Sequence, residues 1–181
     1  FDIIQKLISF PNPYLILPLE AGIVQLSHNN EWKFVVIVPK YDYFNTLEHI
    51  ISEEGALSEK RIYNSLIPAF SEIFQYTESK NIQCGNINPA NIVYHNGKFV
   101  LREFFTQYQS FFQDPYLLPT ELFDCVPYAR VTKDSASDIY AFGATLIYAY
   151  LGQKTWLKYT EENFKEFILD HSSFSAFVDK S

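Results

Sequence analysis

Asn81-Ile82-Gln83-Cys84-Gly85-Asn86-Ile87-Asn88-Pro89-Ala90-Asn91-Ile92-Val93 is the stretch on which the fold turns. Its asparagines, glycine and proline are residue types that bond back to nearby backbone and favour loops over regular structure. On its N-terminal side lie Ile62, Leu66, Ile67, Phe70, Ile73, Phe74 and Tyr76, spaced to form one face of a long helix. Ser58 supplies an N-cap for that helix, although Arg61 stands where a capping box would place an acid. Pro68 is expected to kink or interrupt it. On the C-terminal side, residues 92–94 and 98–101 flank His95-Asn96-Gly97, the strongest short hairpin signal in the chain. An asparagine-rich loop is thus held between a long helix and a hairpin.

Working outward, residues 3–9 are expected to end a helix, which Phe10-Pro11-Asn12-Pro13 then punctuates. Residues 14–26 and 32–39 are rich in Val, Ile and Leu and flank His28-Asn29-Asn30, the pattern of two antiparallel strands joined by a turn. Residues 46–51 form a short helix candidate. After a loop rich in Phe, Tyr, Gln and Pro, residues 138–151 carry apolar side chains all round and end at Gly152, which predicts a helix buried at the domain centre. Residues 161–169 read as a shorter amphipathic helix. The order predicts an α+β domain dominated by helices.

Composition narrows the function. A chain of 181 residues with 48% hydrophobic and 18% aromatic content can bury a core and is expected to form about one domain. Its net charge of -7 argues against a nucleic-acid groove and against an anionic membrane surface. No apolar run has the length of a membrane span. Cys84 and Cys125 make neither a disulfide framework nor a metal-ligand spacing, which favours an intracellular, cytoplasmic setting. There is no methionine, even at position 1, so the chain is expected to be a processed product or part of a longer protein.

The central stretch resembles the catalytic loop of a protein kinase, H-R-D-L-K-P-E-N-I-L, and it sits in the context that family requires. Leu101-Arg102-Glu103-Phe104-Phe105 falls where the metal-binding Asp-Phe-Gly belongs, and Pro119-Thr120-Glu121 is similar to the Ala-Pro-Glu that closes the activation segment. Ser137-Asp138-Ile139-Tyr140-Ala141-Phe142-Gly143 resembles the start of the family's buried central helix, and Gly152-Gln153-Lys154-Thr155-Trp156 the turn that ends it. Phe10-Pro11-Asn12-Pro13-Tyr14 is similar to the His-Pro-Asn-Ile lead-in to the fourth strand. Residues 34–43 resemble the fifth strand and hinge, and Asn45-Thr46-Leu47 the Gly-Ser-Leu that follows. The resemblance implies one partial kinase-like domain over residues 1–181. Residues 1–43 would be an N-lobe remnant and hinge, contributing a short antiparallel strand pair. Residues 44–181 would be a mainly helical C-lobe with a small hairpin after the catalytic loop. The glycine-rich loop, the strand bearing the ATP-binding lysine and the last C-lobe helices would lie outside the chain.

Phosphoryl transfer needs a base, metal ligands and cations. By the same resemblance Asn86 occupies the position of the catalytic aspartate, and an amide has no carboxylate to take up a proton. Asn88 replaces the lysine that neutralises the transferring phosphoryl, Gly85 the arginine that pairs with an activation-loop phosphate, and Cys84 the histidine. Asn91 matches one metal-ligand position and Glu103 the other, but the longer Glu103 side chain misplaces its oxygens for octahedral Mg²⁺. Phe105 fills space where the family has glycine. Asp138 is expected to be structural, accepting backbone N–H groups of the loop, and Glu121 is structural too. Asn86, Asn88 and Asn91 also have a plainer reading, as loop residues bonded to backbone.

The expected function is therefore a catalytically inactive, kinase-like scaffold or allosteric protein-binding module with no required cofactor. Its expected partner is another protein, an active kinase or a multi-protein assembly, and the aromatic loop supplies Tyr108, Phe111 and Phe112 as candidate anchors. Two alternatives accompany this. One is a nucleotide-sensing module that binds ATP at Pro39, Tyr41 and Val93. The other is an atypical kinase that uses Glu103 and Asn91 for its metal.

Overall fold

In the computed structural model, residues 11–28, 30–42, 45–102 and 135–158 are described. They form a mixed α+β arrangement of four helices and two small antiparallel strand pairs. Strand β1 (Glu20–Gln25) pairs with β2 (Trp32–Ile37), in a register that sets Ile23 opposite Phe34 and Gln25 opposite Trp32. The face carrying Ala21, Ile23, Gln25, Trp32, Phe34 and Val36 is uncharged, and Ile23, Trp32 and Phe34 are exposed on it.

The first strand is shorter than the sequence predicted. Residues 14–16 bond instead to the end of the second hairpin: Leu101 donates its N–H to the Tyr14 carbonyl at 2.9 Å, and Ile16 donates to the Leu101 carbonyl at 2.9 Å. Pro18 then interrupts the run because it has no N–H to give a ladder, and pairing with β2 begins only when Leu19 donates to Ile37 at 2.8 Å.

Helix α1 (Leu47–Glu54) starts where the Thr46 hydroxyl accepts the His49 N–H at 3.2 Å, and it buries Leu47, Ile50 and Ile51. The next helix opens with Glu59–Arg61, capped by the Ser58 side chain, and continues as α2 (Ile67–Lys80). Between them Ile62–Leu66 forms a π-helical turn in which the Ile67 N–H reaches back to the Ile62 carbonyl. That wide turn is how the helix accommodates Pro68, whose ring would clash with the carbonyl four residues earlier in a regular α-helix. The chain continues instead of breaking.

After the loop come a short 3₁₀ turn (Pro89–Asn91), β3 (Ile92–His95) and β4 (Lys98–Leu101). The two linking residues, Asn96 and Gly97, have φ of 49° and 82°, the left-handed pair that a two-residue hairpin turn requires. Helix α3 (Ser135–Leu151) and the single turn α4 (Gln153–Trp156) complete the described chain. The core joins α1, α2, the loop, the hairpin and α3 through Leu47, Leu66, Phe70, Ile73, Ile87, Ile92, Phe99 and Ala149. Phe70 of α2 stacks on Phe142 of α3 with ring centroids 4.1 Å apart.

Helix α3 differs from its predicted burial on every side. Ser137, Asp138, Ala141, Phe142, Ala144, Thr145, Tyr148 and Ala149 form the buried stripe, and Ile139 is 58% exposed. The alanines allow close approach on one face, so the apolar content all round does not become burial all round. Among the described residues, no helix is long and apolar enough to cross a membrane.

Candidate functional site

The loop between α2 and β3 is anchored from α3. The Asp138 carboxylate accepts the Cys84 N–H on Oδ2 and the Gly85 N–H on Oδ1, each at 2.8 Å, across more than fifty residues of sequence. Asp138 is buried at the first turn of α3, so these are charge-assisted bonds in a shielded setting. Cys84 is also buried. Burial pushes its thiol well above its ordinary pKa, the Asp138 carboxylate adds to the push, and a hydrogen bond with Thr77 opposes it. The thiol is therefore neutral and serves as packing.

Downstream of that anchor, three asparagines bond to one another. Asn88 Oδ1 accepts the Asn91 N–H at 3.0 Å, capping the 3₁₀ turn. Asn88 Nδ2 donates to Asn86 Oδ1 at 2.9 Å, and Asn91 Nδ2 donates to the Asn86 carbonyl at 3.1 Å. A backbone N–H can only donate, so the Asn91 N–H fixes which end of the Asn88 amide is oxygen. Asn88 in turn fixes Asn86. The Asn86 Nδ2 that results is buried and meets no acceptor among the described residues. Such a donor costs about 1–3 kcal/mol of stability.

Arg102 closes the other side. Its Nε donates to the Ala90 carbonyl at 3.0 Å, its backbone N–H donates to the Asn91 carbonyl at 2.9 Å, and its guanidinium lies 4.5 Å from the centre of the Tyr41 ring. Tyr41 and Pro39 are half-buried. Val93 is fully buried, and its backbone bridges to Thr46 at the start of α1.

The structure therefore brings Asn86, Asn88, Asn91 and Asp138 together in one bonded loop, with Tyr41 joined to it through Arg102. Glu103, Phe104, Phe105, Tyr108, Phe111, Phe112, Glu121 and Cys125 lie outside the described residues. Sequence reasoning missed the roles of Thr77 and Arg102, and it missed the direction of the amide chain. An arginine immediately after a strand carries no signal of its own; its partners are set by where the hairpin ends.

Among the described residues no group of three or more His, Cys, Asp or Glu is placed to hold a metal ion, and the Asp138 carboxylate is turned to backbone N–H groups. The sequence matches no protein-family model and no curated protein.

Proposed function

We propose that the chain is a kinase-like C-lobe with a degenerate catalytic loop, a pseudokinase that works as an intracellular scaffold or allosteric protein-binding module. The observation that carries this reading is the grip of Asp138 on the Cys84 and Gly85 N–H groups, next to an amide at Asn86. The loop keeps a charged anchor that sets its shape, while the position expected to exchange a proton holds a group that cannot. General-base catalysis contributes about 10²–10⁴-fold to a rate, and Asn88 brings none of the positive charge that a transferring phosphoryl needs. Asn88 is committed to its neighbours at both ends of its amide, and Asn86 and Asn91 at one, which supports a loop kept for its rigidity.

In this reading the contact with another protein falls on the aromatic segment, at Tyr108, Phe111 and Phe112, where large rings offer apolar area at low entropic cost.

The test is phosphoryl transfer by the purified chain, in the longest form its gene encodes, with Mg²⁺ or Mn²⁺ and labelled ATP. No incorporation above a no-protein control is expected. Incorporation that disappears in Asn91→Ala would overturn the proposal and favour the atypical-kinase alternative. Replacing Tyr108, Phe111 and Phe112 by serine should weaken capture of the partner without changing the melting temperature. A sharp fall in melting would assign those rings to the core instead.

A further inference from the structure

We draw no further inference here: the strongest candidate, the uncharged face of the β1–β2 hairpin on which Ile23, Trp32 and Phe34 are exposed, carries nothing because nothing in the structure shows what covers it.

Discussion

Removing the Asp138 carboxylate is the perturbation that most directly probes how this loop is held. Two backbone N–H groups reach it at 2.8 Å, and Asp138 is only 6% exposed. Hydrogen bonds to a charged group contribute about 1.5–3 kcal/mol each, and an orphaned buried donor adds its desolvation cost. Asp138→Ala deletes both acceptors and should cost about 3–5 kcal/mol, a large share of the roughly 5–15 kcal/mol of a typical domain. Asp138→Asn keeps one acceptor but turns an NH₂ toward the second N–H, and should cost about 2 kcal/mol. The assay is urea unfolding followed by fluorescence of the half-buried Trp156, which packs edge-on against Tyr148 at 5.6 Å. With a slope of about 1–3 kcal/mol per molar urea, the alanine midpoint should fall by roughly 1–5 M at unchanged slope. Midpoints within about 0.3 M of wild type in both variants would show that the loop does not depend on this anchor, and the argument built on it would fail.

Three further outcomes are expected. Phe70→Ala should cost about 3–5 kcal/mol in the same unfolding assay, because Phe70 is fully buried and stacked on Phe142; a loss below about 1 kcal/mol would mean that the two helices do not share that contact. Gly152→Ala should cost about 2 kcal/mol or more, since Gly152 has φ of 75° and an added Cβ would stand 3.0 Å from the Ala56 nitrogen; an unchanged midpoint would place the α3–α4 junction differently. Cys84 gives a pH dependence. Its folded pKa is raised, so the folded state keeps a proton that the unfolded state releases, and stability should be fully present below the unfolded thiol pKa of about 8.5 and decline as pH rises above it. Cys84→Ala should flatten that decline, and native Cys84 should resist thiol reagents until urea unfolds the chain; rapid labelling at Cys84 in the folded protein, read by peptide mapping, would contradict its burial.

The order of elements was legible in the sequence because each signal is local. Ser58 and Thr46 announce helix starts through side chains that bond three residues on, and Asn96-Gly97 announces its turn through two residues that tolerate positive φ. The asparagine-rich loop between a helix and a hairpin was equally plain, since Asn88 caps a residue three positions away. Periodicity alone, in contrast, could not say which side of α3 would be buried, because apolar residues occupy all of its sides.

Tertiary structure decided the rest, for reasons of distance. Tyr14, Leu15 and Ile16 have strand propensity but pair with Leu101, more than eighty positions away, because the hairpin offers backbone partners there and Pro18 denies them to β1. Pro68 forbids a regular helix, yet only the packing of Ile62, Leu66 and Phe70 into one core keeps the chain helical through a π turn instead of breaking it. The polarity of the asparagine chain is likewise invisible in composition. An amide has two ends of nearly the same shape, and which end is left without a partner is set by a single backbone N–H at Asn91 and transmitted through Asn88 to Asn86. Sequence by itself placed the residues of the loop side by side; the fold chose the direction of their hydrogen bonds, because that choice depends on which neighbours are donors in three dimensions.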